Sequence, residues 1–457
     1  MPDFWSGPFP PPAPRPPGLL WRLATVLWVA ADVLWLAPAY VLHGLQSLPS
    51  GLRRLGEHAA DLSVSALLLV FRRPFATAAL ALFVTTGPIA AAVAAPIFLR
   101  LDDGPEAARP KNGAAEPSAP PVRRDPDLAS RPAPPAPPEL VSRLAGLDPG
   151  FRRPVGVAVM DVDSGWLAAV HGDRAFPQQS VSKLWVAMTI LDQVDSGRLS
   201  LDQRVVLTDA DRSVFNQPVA HLIENGVYET TLRDLLRRAL IKSDNAANDK
   251  LMALAGGPRA VQAFLTSRGM SGIRLAEDER RLQSRIAGLE WSPELSAYGA
   301  FEAARSRLDP EVRAASLDAY VEQPYDGASP AGVVRALAAL ARGEVLSAAS
   351  TEFMLQTLGR VTTGPMRLRG GLSPGWRAAH KTGTGQDFRG ETFGLNDVGL
   401  VTAPDGRIYA VAVLAPQVPK GSPQRLRVFQ RVSSTLVDHW RVEVASAVRN
   451  ADSRGAD

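Results

Sequence analysis

With 457 residues the chain is longer than one ordinary domain, and with 46% hydrophobic against 21% charged residues it can bury a sizeable core. The formal net charge of +4 is small for this length and the basic residues are interleaved with acidic ones, which excludes a nucleic-acid partner. The absence of cysteine excludes disulfides, thiolate nucleophiles and zinc–thiolate sites, and the six histidines (His43, His58, His171, His221, His380, His439) are too scattered for a helical metal pair.

Residues 1–18 form a proline-rich tail. Residues 19–45 are apolar and rich in tryptophan but contain Arg22 and Asp32, so this stretch either spans a membrane or lies in its interface. A basic loop follows over 46–74, carrying Arg53, Arg54, Arg72 and Arg73. Residues 75–99, FATAALALFVTTGPIAAAVAAPIFL, hold no charge and are long enough to cross a bilayer as a helix. They lie too far from Met1 for an ordinary export signal. Arg72 and Arg73 stand before this span and Asp102 and Asp103 after it, so the positive-inside rule predicts an inner-membrane protein whose C-terminal part is extracytoplasmic, with membrane lipid as a partner of the N-terminal helices. Residues 100–138, including RPAPPAPP from Arg131, are a proline- and alanine-rich linker that cannot build a core.

From 139 to 448 the pattern is that of one domain without internal repeats, followed by a tail over 449–457. Residues 155–170 read as two strands about an Asp-Ser-Gly turn. Apolar residues recurring three and four apart predict helices over 183–194, 231–241, 245–255 and 258–267. Strand patterns return over 377–384, 396–402 and 408–414, before a last amphipathic helix over 423–447. Strands at both ends of a helical middle predict an α+β fold, with an antiparallel sheet completed late in the chain.

Three short motifs carry chemistry. Ser180-Val181-Ser182-Lys183 opens a helix and sets a hydroxyl and an amine on one face, where the amine can take the serine proton. Lysine is scarce, six residues against 44 arginines, and of the six only Lys183 has a serine three positions before it. Ser243-Asp244-Asn245 joins two helices and by itself reads as an N-cap. Lys381-Thr382-Gly383 lies on a strand, where lysine offers a cation to a carboxylate and glycine lets a ligand backbone approach. A further pattern, Gly371-Leu372-Ser373-Pro374-Gly375, mimics a nucleophile elbow, but Pro374 and the strand after it argue against that role for Ser373.

Taken in this order, the three motifs resemble those of class A β-lactamases and penicillin-binding proteins, and the resemblance extends over nearly all of 139–448. The stretch TTGPMRLRGGLSPGWRAAHKTGTG (362–385) and Asn396-Asp397 are similar to the region around the family's third motif. The resemblance implies an antiparallel sheet flanked by helices with an all-helical subdomain, and a serine hydrolase that needs no metal or organic cofactor. It implies Ser180 as nucleophile, Lys183 as its activator and Ser243 as proton shuttle to the leaving nitrogen. Asn245 would bind the substrate's side-chain amide, while Lys381, Thr382, Gly383 and Thr384 form the substrate-binding strand and the backbone N–H groups of Ser180 and Thr384 an oxyanion hole. Glu279-Arg280-Arg281-Leu282-Gln283 resembles the family's Glu-x-x-Leu-Asn element, implying Glu279 as the base of deacylation and Gln283 as the amide holding its water.

Two features depart from the family. Glu277 stands where many members have an arginine that ties down the loop carrying the base, and residues 291–329 exceed the usual length before the third motif, to form either a lid or packed helices. The implied activity is β-lactam hydrolysis. Alternatives are a D,D-peptidase acting on peptidoglycan stem peptides, and a membrane β-lactam sensor, against which the lack of an effector domain argues.

Overall fold

A computed structural model describes residues 133–454 except Asp148 and Glu224. The tail, both candidate spans, the basic loop and most of the linker lie outside the described residues. Among the described residues no helix is long and apolar enough to cross a membrane.

In chain order the elements are α1 (Pro138–Ala145), β1 (Gly156–Asp161), β2 (Leu167–Val170), β3 (Phe176–Pro177), α2 (Lys183–Asp195), β4 (Arg204–Thr208), β5 (Val227–Thr231), α3 (Leu232–Ile241), α4 (Asn245–Ala255), α5 (Pro258–Ser267) and α6 (Glu279–Ala287). They continue with α7 (Ala300–Arg307), α8 (Pro310–Glu322), β6 (Gly327–Ala328), α9 (Pro330–Ala341), α10 (Ala348–Gly359), β7 (Arg377–Phe388), β8 (Glu391–Thr402), β9 (Ile408–Ala415), β10 (Val418–Pro419) and α11 (Gln424–Arg454). The expected α+β layout is present. The main sheet is antiparallel, with β7 on one edge of β8, β9 and then the short β10 along the other, and β1 and β2 beyond β9.

Alternation along the strands divides the core into two layers. On β9, Ala410, Ala412 and Leu414 face the helical side, where they join a cluster containing most of α2, α4 and α9. Tyr409, Val411, Val413 and Ala415 face the other way, onto Leu140 and Leu144 of α1 and Val428, Phe429, Val432 and Leu436 of α11. Residues 183–191 of α2 are all buried, as expected of a helix surrounded by protein on every side. The nucleophile motif thus stands at the N-terminus of the most enclosed helix.

Several helix boundaries follow from capping. Thr231 accepts a hydrogen bond from Asp234 N at the start of α3, and Asp244 one from Ala247 N at the start of α4. The sheet departs from the sequence reading in strand length: β7 and β8 run on to a two-residue hairpin at Arg389 and Gly390, both with positive φ (47° and 77°). The turn geometry is the one that favours Asn-Gly, and an arginine at its first position hid it from sequence. Helix α11 runs through Arg454, into the segment expected as a tail. Residues 291–329 are packed helices rather than an open lid: α7 and α8 bury Phe301, Leu317, Tyr320 and Val321 in two small clusters shared with α6.

Candidate active site

The turn that carries Ser180 is held by a buried polar network. After β3 the chain enters a single 3-10 turn, Gln179–Ser182, that leads into α2, and Gln179 adopts φ 52°, a left-handed conformation costly for a side chain with a Cβ. The strain is offset from three sides. Gln179 N donates to Asp326 Oδ2 (2.8 Å), Gln179 Nε2 donates to Tyr320 Oη (2.9 Å), and Tyr320 Oη donates to Asp326 Oδ1 (2.9 Å). From β8, Asn396 Nδ2 donates to Pro177 O and Gln178 O at 2.8 and 2.9 Å. Burial pushes the Asp326 carboxyl up to about 7, against the pull of the hydrogen bonds it accepts from Tyr320 and Gln179.

Lys183 Nζ donates to Ser180 Oγ at 2.9 Å and is ion-paired with Glu279. The side chains of Lys183 and Glu279 are 0% and 3% exposed, so this is a buried pair in which loss of either charge would leave the other uncompensated. Glu279 is the first residue of α6, with Asp278 as N-cap accepting from Arg281 N at 3.0 Å. Asp249 on α4 fixes this helix start, because its Oδ1 accepts from Glu279 N (2.7 Å) while its Oδ2 accepts from Ser213 Oγ (2.7 Å). Burial, assisted by the negative charges of Asp278 and Glu279, pushes the Asp249 carboxyl up to about 7.

The other two motifs meet across the same space. Ser243 ends the α3–α4 turn at φ 58°, and Lys381 Nζ donates to its Oγ at 2.8 Å and to Thr382 O at 2.9 Å. Burial, reinforced by the nearby Lys183 charge, holds the Lys381 ammonium well below its ordinary range. Asn245 Nδ2 donates to Val214 O (2.8 Å), and Asn216 Nδ2 donates to Lys242 O (2.7 Å) and Ser243 O (3.0 Å), which ties the 212–218 loop to the second motif. The resulting cavity, of about 240 Å³, is lined among others by Ser180, Ser243, Asn245, Glu279, Thr382 and Thr384. A nucleophile with an amine at its oxygen, a carboxylate on that amine, and a second serine–lysine pair facing the same cavity can form and break an acyl bond on Ser180.

The pattern of the β-lactamase enzyme family matches residues 139–440. The chain belongs to the β-lactamase enzyme family. Its relatives include β-lactamase L2 of Stenotrophomonas maltophilia, 30% identical over 310 residues that cover 68% of this chain and 84% of that protein. The extended-spectrum β-lactamase PER-1 of Pseudomonas aeruginosa is 28% identical over 300 residues, 65% of this chain and 86% of that protein. Among solved structures, a β-lactamase from Chitinophaga pinensis superimposes with a TM-score of 0.53 at 29% identity, covering 66% of this chain and 98% of that one.

Within this member of the β-lactamase family, three of the expected positions differ in detail. Gly383 does not face the cavity: a Cβ there would lie 2.4 Å from Gln178 O, so the glycine is required by the close approach of the protein's own nucleophile turn rather than by a ligand. Lys381 is fully buried behind the cavity wall with its amine on Ser243, so its reach to a substrate is through that hydroxyl. Gln283 donates to Gln179 Oε1 at 2.8 Å and lies 3.5 Å from Glu279 Oε2, so its amide belongs first to the nucleophile turn. Asn396 and Asp397, expected at the start of a strand, lie in the middle of β8, which begins at Glu391. Ser373 is remote from the cavity and accepts from Arg441 Nη2 at 2.9 Å.

Other lining residues escaped the sequence reading. Arg367 donates to Gly383 O (3.0 Å), Asn396 O (2.7 Å) and Thr384 Oγ1 (2.6 Å), and has no carboxylate partner among the described residues. Thr363 shares a 2.6 Å hydrogen bond with Thr382. Phe215, at φ 59°, forms the opposite wall. Nothing singles out Arg367 among 44 arginines, and Phe215 carries no motif; both become visible only when distant segments meet.

Proposed function

We propose that the chain opens the β-lactam ring through an acyl-enzyme on Ser180 and releases it with water activated by Glu279. The observation that carries this reading is the Lys183 amine, which contacts both the Ser180 hydroxyl and the Glu279 carboxylate. In the first half-reaction the Ser180 oxygen attacks the lactam carbonyl carbon and its proton passes to the Lys183–Glu279 pair. Charge develops on the carbonyl oxygen, for which the Ser180 and Thr384 backbone N–H groups are the proposed donors. The carbon–nitrogen bond then breaks as Ser243, hydrogen-bonded to Lys381, delivers a proton to the leaving nitrogen and is replenished with the proton that the Lys183–Glu279 pair took from Ser180, which leaves Glu279 ionised for the second half-reaction. In the second half-reaction Glu279 takes a proton from water, the hydroxyl adds to the ester carbon, and Ser180 recovers its proton on release. Arg367, Thr382 and Thr384 are the proposed seat of the substrate carboxylate, and Asn245 of the acyl amide once its Nδ2 exchanges Val214 O for the ligand.

The test is the lifetime of the penicillin adduct on the intact chain by mass spectrometry, compared with Glu279→Gln. Rapid turnover by the parent and a trapped adduct in the variant are expected; no adduct in either would overturn the reading. One observation favours the D,D-peptidase alternative: the Gln283 amide donates to Gln179 at 2.8 Å and to Glu279 only at 3.5 Å, which weakens the hold on a hydrolytic water. That reading predicts a long-lived adduct in the parent as well.

We also propose that residues 75–99 anchor the enzyme in the inner membrane with its catalytic part extracytoplasmic. Their uncharged sequence and the arginines before them support this. Recovery of the intact chain in the soluble fraction would count against it.

A further inference from the structure

Helix α7 of the insertion sets side chains against Phe215, which lines the cavity, and against Gln386 of β7 beside it. Phe301 packs edge-on against Phe215, with ring centroids 4.8 Å apart and planes at 71°, and Phe215 lines the cavity. Arg305, one turn further along the same face of α7, holds its guanidinium 5.1 Å from the Phe215 centroid and 5.7 Å from that of Phe301. Its Nη1 donates to Gln386 Oε1 at 3.2 Å, and Gln386 lies on β7 two residues beyond Thr384 and donates to the O of cavity-lining Gln283 at 2.8 Å. Arg305 therefore reaches from the Phe215 loop to β7 beside the cavity.

Its chemistry is unspent. A guanidinium has five N–H donors, and the hydrogen bond to Gln386 occupies one. Arg305 has no carboxylate partner among the described residues; Glu302 and Asp387 act on it only through space, and burial lowers its pKa. A partly desolvated cation held on two aromatic rings, with its remaining donors free, is matched by a carboxylate, which takes two of them side by side.

We infer that Arg305 is a specificity-determining residue that receives a second anionic group, a carboxylate carried on the acyl chain of the substrate. The inference rests on the proposed β-lactam function. A substrate whose ring carboxylate sits at Arg367, Thr382 and Thr384 and whose carbonyl lies at Ser180 directs its acyl chain along β7 past Gln283, toward Gln386 and the guanidinium.

The experiment compares acylation of the intact chain by adipoyl-penicillin and by hexanoyl-penicillin, identical except for a terminal carboxylate in place of a methyl group. Arg305→Met, which keeps the apolar stem over the rings, is expected to lower the adipoyl-to-hexanoyl ratio of acylation rate constants about tenfold, the equivalent of about 1.4 kcal/mol. Arg305→Lys is expected to retain part of the preference, and Arg307→Ala, an exposed arginine on the same helix, all of it. An unchanged ratio in Arg305→Met, or an equal fall in Arg307→Ala, would overturn the inference while leaving the function intact. Absence of both turnover and adduct with the two compounds, in the parent and in Glu279→Gln, would overturn the proposed function and this inference with it.

Discussion

The two walls of the cavity are built on different principles. The motif wall, made of the α2 start, the α3–α4 turn and β7, presents side chains that bond directly to one another: Lys183 to Ser180, Lys381 to Ser243, Thr363 to Thr382. The second wall, residues 277–329, of which 291–329 are the insertion, contributes Glu279 near its start, then Phe301 and Arg305 against Phe215, and Tyr320 and Asp326 beneath Gln179. The first wall concentrates nucleophile and proton chemistry; the second supplies a base, shape and support. An element can thus share in a reaction by holding a neighbouring turn in an unfavourable backbone conformation, as Asp326 and Tyr320 hold Gln179.

The largest expected effect lies on the motif wall. Ser180→Ala removes the proposed nucleophile, and acylation by penicillin should fall by roughly 10⁴-fold or more, read as loss of turnover and, in the Glu279→Gln background, of the trapped mass adduct. Persistent labelling of that variant would break the assignment. Glu279→Gln should leave acylation measurable and slow deacylation about 10²–10⁴-fold, so that a burst replaces steady turnover. Equal losses in both half-reactions would make Glu279 a partner of Lys183 alone.

Smaller effects sharpen the contrast in stability. Gly383→Ala drives a Cβ against Gln178 O and should cost about 1–3 kcal/mol in denaturant unfolding, with loss of activity as the nucleophile turn is displaced. Tyr320→Phe leaves Gln179 Nε2 and Asp326 Oδ1 without their shared partner; unfolding free energy should drop by about 1–3 kcal/mol, with kcat falling more than KM rises if the network positions the turn. A destabilised protein with unaltered kinetics would confine that network to a structural role.

The smallest effect is one of pH. The Asp249 carboxyl is raised to about 7 in the folded protein, above its ordinary value of 3.8, so folding favours its protonated form. Its contribution to stability is therefore greatest below the unfolded pKa and declines as pH climbs toward about 7. Asp249→Asn keeps an acceptor for Glu279 N and removes the charge, so its melting temperature should change less than the parent's over that interval, with the parent losing ground as pH rises. A parent that gains stability over the same interval would show that the carboxylate, not the acid, is the form the fold selects.

Three motifs made of small sets of residues at fixed spacing were legible in the sequence, because S-x-x-K on a helix and K-T-G on a strand impose local geometry that needs no tertiary contact to predict. The α+β class and the limits of the four helices α2 to α5 followed from periodicity, with the Ser243-Asp244-Asn245 turn read as an N-cap, whereas α1 and α6 to α10 were not anticipated. What only the tertiary structure decided depends on residues distant in sequence: Arg367 meeting Thr384, Asp326 reaching back to Gln179, Gly383 yielding to Gln178, and Arg305 crossing from Phe215 to Gln386. Such pairings leave no periodic trace, since an isolated arginine or aspartate reads the same on a solvated face as in a cavity wall. Their roles arise from desolvation and from the partners that folding brings within hydrogen-bonding distance.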